Sequence, residues 1–323
     1  MDFFQIIDDI AKVDPEVYDR FDSRRAAFRN FLGFGKKVTA SALPLAVSTL
    51  FTKAYGQTTT LPAPVRDTLN LALQLEYLEK YFYQTVLASN ILNAEQTRAF
   101  EIILNDENLH IRTLTGALGT AAIPDPTRAG FDYTGSQGGR RAALFPSLGN
   151  TFTNTGEFLL AAKNFVDTGV RAYKGGAPNL NTSTTKDLLE VALNIHSVEA
   201  RHSSRIRSFL RGGVQNVGAP KSWIMPNETT TTPPLPNNGV PNAPASVGPY
   251  LAGNPATGAT PAVAFPAENN ATQGAAPGVN VQGLTPSGGS ATAGAEAFDE
   301  PLDAATVKAI GKNFATNPAA LFN

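Results

Sequence analysis

Between residues 65 and 211 apolar positions recur at helical spacing in four blocks, separated by glycine, proline and asparagine. The first block, about 65–89, places Leu69, Leu73, Glu76, Tyr83 and Leu87 on one side and Leu71, Leu75, Leu78 and Phe82 on another. A helix apolar over so much of its circumference is buried on several sides. The second, about 94–118, opens on Asn93 followed by Glu95 and Gln96, a capped start. Its stripe is Phe100, Ile103, Leu104, Glu107, His110, Ile111 and Leu114. The third, about 154–174, has Leu159, Ala162, Val166, Gly169, Val170 and Tyr173 on one face, and Gly175, Gly176 and Pro178 are expected to end it. The fourth, about 184–211, aligns Leu189, Ala192, His196, Glu199, His202 and Ile206 before Gly212 and Gly213 close it.

The connections set the topology. Asn90 to Asn93 is a tight link, so the first two helices are predicted to be antiparallel neighbours. Residues 119–153 are rich in glycine and proline and long for a loop inside a compact domain. They can run back along a bundle and start a third helix parallel to the second. A short link, a long crossover and another short link predict an all-α fold, a ferritin-like four-helix bundle rather than a simple up-and-down one.

Composition shifts on either side of this region. Between Ser222 and Ala295 only Glu228 and Glu268 are charged, and prolines recur from Pro226 to Pro286. That stretch predicts irregular chain, lying on the bundle or extending from it. Pro301 to Phe314 reads as one last short helix. At the other end, acids from Asp2 to Asp22 give way to Arg24, Arg25, Arg29, Lys36 and Lys37, then an apolar run from Val38 to Phe51 and Ala54-Tyr55-Gly56. A basic start, an apolar stretch and a small-x-small end form the layout of a cleaved export signal. As a helix the run would span about 21 Å against a hydrocarbon core of roughly 30 Å, too short for a permanent transmembrane anchor. Ser23-Arg24-Arg25-Ala26-Ala27-Phe28 resembles a twin-arginine signal, and a periplasmic or otherwise exported location is expected. The expected organisation is therefore 1–56 for extension and signal, 62–213 for the bundle, 214–297 for the Pro/Gly-rich tail and 298–323 for a short helical end.

With no cysteine and only 3 histidines in 323 residues, thiolate zinc sites, disulfides and cysteine nucleophiles are excluded. A formal charge of -1 supplies no positive field for nucleic acid. Any metal site must lean on carboxylates. Two Glu-x-x-His pairs offer them: Glu107 with His110, and Glu199 with His202. Residues three apart share a helix face, and both pairs lie within apolar stripes, directed at the interior. Glu76 is centred in the first helix. Buried charges of this kind persist when paired or metal-bound, and oxygen and nitrogen ligands suit iron or manganese. No serine–histidine–acid arrangement or phosphate-binding glycine loop stands out, and no catalytic residue is assigned.

Leu75-Glu76-Tyr77-Leu78-Glu79, the pair Glu107/His110, the run from Asp167 to Gly175 and Ser197-Val198-Glu199-Ala200-Arg201-His202 together resemble the exported ferritin-like domain proteins, a family that includes plant and bacterial desiccation-related proteins. The resemblance runs from about Leu69 to Arg211. It implies that Glu76, Glu107, His110, Glu199 and His202 occupy ligand positions of a di-metal site. The family pattern places a glutamate directly before Asp-Thr-Gly in helix three, and here that residue is Val166. Asp167 is rotated about 100° away and Glu157 lies about 13.5 Å earlier along the axis. The site is therefore expected to be depleted, with weak or single-ion occupancy.

Around it, His196 is either a local adaptation or a hydrogen-bonded histidine at the core edge. Tyr83 either approaches the site or is an ordinary core tyrosine. Glu79 is either an outer group of the site or a partner for a basic side chain. Lys163, Arg171 and Lys174 are expected to solvate helix three. Two functions follow as expectations: an exported protein binding iron or manganese, or a non-enzymatic structural or stress-related scaffold without metal. In the second, the tail contacts an envelope component or another copy. A chain ending near Gly212 is expected to keep its helical content.

Overall fold

The computed structural model describes residues 61–228, 233–239, 246–254, 265–274, 278–281 and 291–323. All of them fall within one compact unit, Phe51–Asn323. The export segment expected over 1–56 lies outside the described residues. Four long helices carry the fold: α1 (Ala63–Ala88), α2 (Ala94–Leu118), α3 (Thr155–Leu180) and α4 (Lys186–Leu210). Pro64 sits in the first turn of α1, where its missing N–H costs nothing. Asn93 and Gln96 form a reciprocal capping box at α2. Asn154 accepts the Glu157 N–H at the start of α3.

α1 packs on α2 and α3 on α4, and the two hairpins close through α1 against α3 and α2 against α4. Directions follow from end contacts. Thr155 at the start of α3 donates to the Ile91 carbonyl just beyond α1 (2.8 Å), while Asn179 at its end donates to Thr68 near the start of α1 (3.0 Å). Arg205 late in α4 pairs with Glu95 early in α2 (2.7 Å). Thus α3 runs antiparallel to α1 and parallel to α2. This is the all-α bundle with a long crossover read from the sequence. The crossover is no loose strap: Phe131, Tyr133, Phe145, Leu148 and Phe152 are buried, and the Tyr133 hydroxyl donates to the Leu78 carbonyl (2.8 Å).

Two expectations are corrected. α3 does not stop at its glycines but continues to Leu180. A Cβ at Gly175 would collide with the Leu302 carbonyl, so this glycine admits the C-terminal segment against the helix backbone. Nor does Arg171 solvate α3. It is fully buried, its guanidinium donating to the carbonyls of Glu300 (2.8 Å), Pro249 (2.7 Å), Leu251 (2.8 Å), Pro266 (2.6 Å) and Pro301 (3.0 Å), with Glu268 2.8 Å away. Lys163 pairs with Glu228 (2.7 Å) and Lys174 donates to the Asp299 carbonyl.

Of the two placements left open for the tail, the structure has it lying on the bundle. Two short antiparallel ladders, β1 (Leu235–Pro236) with β2 (Ser246–Val247) and β3 (Thr272–Gln273) with β4 (Val279–Asn280), are followed by helices α5 (Ala291–Glu296) and α6 (Ala304–Lys312). α6 packs on α1 and α3, and Leu235, Val247, Leu302, Val307, Ile310, Phe314 and Phe322 join the hydrophobic core. Asp303 caps α6 by accepting the Thr306 N–H (2.9 Å). Among the described residues no helix is long and apolar enough to cross a membrane.

Candidate metal centre

Helical periodicity brings the polar positions of the apolar stripes to one level of the bundle. Glu76, Glu107, His110, Glu199 and His202 are all buried there. One ligand atom each from Glu76, Glu107, His110 and Glu199 lies within 4.8 Å of the others, a spacing suited to a single cation. His110 Nδ1 stands 3.0 Å from Glu76 Oε2, 3.2 Å from Glu107 Oε2 and 3.2 Å from Glu199 Oε1. His202 Nδ1 stands 3.3 Å from Glu107 Oε1 and 3.6 Å from Glu199 Oε2. Glu107 and Glu199 therefore each turn one oxygen to His110 and the other to His202. The centre has two halves joined by these two carboxylates.

Polar neighbours hold the ligands in place. His202 Nε2 lies 3.1 Å from Asp106 Oδ2, which aims Nδ1 inward. The Tyr173 hydroxyl of α3 donates to Glu76 Oε1, and the Tyr83 hydroxyl donates to Glu79 Oε2 (2.8 Å). Sequence reasoning did not single out Asp106, and only the side-by-side packing of α2 and α4 gives it a role. Tyr83 is buried against Phe82 and Phe100, with its hydroxyl bound to Glu79. Glu79 is buried and, among the described residues, forms no ion pair: its Oε1 lies 3.6 Å from where a Cβ on Gly169 would stand, and Glu199 Oε2 lies 3.8 Å from the same point. His196 Nδ1 donates to the Val170 carbonyl (2.9 Å), the hydrogen-bonded edge histidine of the two alternatives.

Val166 is fully buried and presents only methyl groups. Asp167 faces away, accepting Ser203 (2.6 Å) and Tyr250 (2.7 Å) hydroxyls and pairing with Arg207. Glu157 accepts the Ser147 N–H (2.8 Å) at the far end of α3. Neither takes the place of a helix-three carboxylate.

The residues present fit a divalent ion. Glu107 Oε1, both Glu199 oxygens and His202 Nδ1 are buried with no hydrogen bond, although imidazole and carboxylate stand at ion-pair distance. Buried polar atoms without hydrogen bonds are rare in folded proteins, and a cation satisfies all of these at once. The charges of the metal-free cluster point the same way. Burial pushes Glu76 up to about 8, against the pull of His110. Burial, then the charges of Glu199, Glu107 and Glu76, holds Glu79 well above the ordinary carboxyl range. At His110 and His202 burial opposes the charged form, yet the surrounding carboxylates raise both well above an ordinary histidine. Burial opposes ionisation of Glu107 as well, but the two imidazoles hold it low.

A stability prediction follows. Glu76 keeps its proton to about 8 when folded, against an ordinary 4.5, so across that window the folded chain holds more protons than the unfolded one. Rising pH then removes stability, and the raised histidines act in the same direction above their ordinary 6.5. Glu107 works oppositely, but only in the acid range. The metal-free protein is expected to melt at progressively lower temperature from pH 6.5 to 8, read by calorimetry. A metal-loaded sample, with those protons displaced, is expected to show a much flatter profile.

A four-helix bundle with a long crossover and an interior of Glu-x-x-His pairs is the architecture of ferritin-like carboxylate proteins. Consistent with it, residues 65–212 match the family model described as a ferritin-like domain. That segment is a ferritin-like domain. No curated protein matches the chain.

Proposed function

We propose that this protein binds divalent transition-metal ions, iron or manganese, in the core of its ferritin-like domain. The observation that carries the reading is the convergence of Glu76, Glu107, His110 and Glu199 on one buried point, with His202 beside it and with oxygens of Glu107 and Glu199 and His202 Nδ1 lacking hydrogen bonds. Oxygen and nitrogen donors without thiolate favour those two metals. Glu76, Glu107, His110, Glu199 and His202 are the ligand set, Tyr173 orients Glu76, and Asp106 orients His202. When bound, such an ion supplies Lewis acidity or one-electron chemistry. The chain's own part is to exclude water and to release the protons held on Glu76 and the imidazoles as the ion enters. Elemental analysis of protein purified without added metal, followed by titration with manganese(II), tests this. At least one ion per chain is expected, and a chain that binds none under either condition overturns the reading.

The location proposed with it is outside the cytoplasm. The support is the switch from acidic to basic residues before Val38 and the small-x-small end at Gly56. Cell fractionation and N-terminal sequencing of the native protein are expected to find a start beyond residue 56. An intact Met1 start in the cytoplasm overturns it.

A second reading is a metal-free structural or desiccation-related scaffold in the envelope, in contact with an envelope component or another copy of the chain. Val166 is the observation in its favour, since it makes the helix-three side of the site apolar. Absence of metal from native protein, together with survival defects on drying in cells lacking it, would favour this reading.

A further inference from the structure

Resting on the metal-binding reading, we propose that Glu79 of α1 is the terminal carboxylate of a second metal position, doing from helix one what Val166 does not do from helix three. The two halves of the centre are nearly equivalent. In the first, Glu76 stands 3.0 Å from His110, beside one oxygen each of Glu107 and Glu199. In the second, His202 faces the other oxygens of the same two glutamates, and Val166 offers nothing. Asp106 is engaged at His202 Nε2, on the outer side of the ring, and Glu79 is the further buried carboxylate that α1 carries. It lies one turn after Glu76 on α1.

Space for it comes from Gly169. This residue lies one helical turn after Val166 and one before Tyr173, on the face of α3 turned to the site. Glu79 Oε1 and Glu199 Oε2 flank the point where its side chain would begin, at 3.6 and 3.8 Å. Glu199 Oε2 is the oxygen directed at His202, so the space left by Gly169 opens onto the second half, with Glu79 Oε1 on its other side. Glu199 Oε2 and His202 Nδ1 are both buried without hydrogen bonds, and their residues are 1% and 5% exposed. The neighbours repeat as well: a tyrosine hydroxyl holds Glu76, from Tyr173, and another holds Glu79, from Tyr83.

Charge completes the case. Two divalent ions carry four positive charges, and Glu76, Glu79, Glu107 and Glu199 carry four negative ones when ionised. Without Glu79 a second ion would leave net positive charge in a dry core, which is costly. The site expected to be depleted by Val166 is thus complete by a different route.

Manganese(II) titration of the full chain, with calorimetry and electron paramagnetic resonance, tests the assignment. The unmodified protein is expected to take two ions showing the spectrum of a magnetically coupled pair. Glu79→Gln is expected to take one, with the spectrum of isolated manganese. Adding Val166→Glu to Glu79→Gln is expected to restore the second ion, because it returns a carboxylate from α3. Two ions in Glu79→Gln, or a single ion in the unmodified protein, overturns the role of Glu79 while the metal-binding reading stands. No ion in any variant overturns both. Should Glu79→Gln not fold, Tyr83→Phe carries the same test, since it removes only the hydroxyl holding Glu79. The second ion is then expected to weaken by about 10–100-fold, as loss of an outer partner does. Unchanged affinity overturns the assignment.

Discussion

Glu199→Ala is expected to leave the protein without stoichiometric metal, whichever half is considered. Glu199 faces His110 with Oε1 at 3.2 Å and His202 with Oε2 at 3.6 Å, so one truncation removes a donor from both positions. Losing an outer partner of a metal ligand costs about 10–100-fold in affinity, and losing a shared ligand should cost more than about 100-fold. Glu107→Ala is expected to act in parallel, because it spans the same pair of imidazoles at 3.2 and 3.3 Å. His196→Ala, by contrast, should leave metal content unchanged, since that ring is engaged with the Val170 carbonyl. Elemental analysis of the three purified variants decides it. Stoichiometric metal in Glu199→Ala would show that the ion sits elsewhere. The apolar helical stripes should keep each variant folded, and circular dichroism checks that the loss is local.

Truncation after Gly212 is expected to abolish cooperative folding, contrary to what the four apolar stripes alone suggest. Val307, Ile310, Phe314 and Phe322 are buried, and burying such a side chain contributes about 1.5–3 kcal/mol. Their combined loss is comparable with the whole stability of a typical domain, about 5–15 kcal/mol. Removing the tail also strips Arg171 of every carbonyl it donates to and of Glu268. The truncated chain should bind a hydrophobic dye and melt over a broad range. A sharp transition within a few degrees of the full chain would show that the bundle stands alone. Arg171→Leu in the full chain isolates the contribution of the clamp. It is expected to lower the melting temperature while leaving metal content intact.

Much of this architecture follows from local pattern. Apolar stripes at a helical period, Asn93 with Gln96 at a helix start, and short, long and short connections are properties of contiguous residues. So is the inward aim of Glu107 with His110 and of Glu199 with His202, because three-residue spacing in an apolar stripe sets direction without reference to any partner. The sequence alone therefore determined the all-α bundle, its handing from one helix to the next, and the five polar groups gathered inside it.

Tertiary structure decided the rest, and in each case the cause is a partner distant in the chain. Gly175 and Gly176 look like a helix stop until Leu302 is found lying against the α3 backbone. Arg171 looks like a solvated cation, but carbonyls from residues 249 to 301 surround it. Asp106 meets His202, and Glu79 comes beside Gly169 and Glu199, only when the helices pack. The low charge and recurrent prolines of the tail carry no period, so no local signal says where that chain packs. Its place is fixed by what the bundle leaves unsatisfied: an apolar flank of α1 and α3, and a guanidinium that must find acceptors once it is buried.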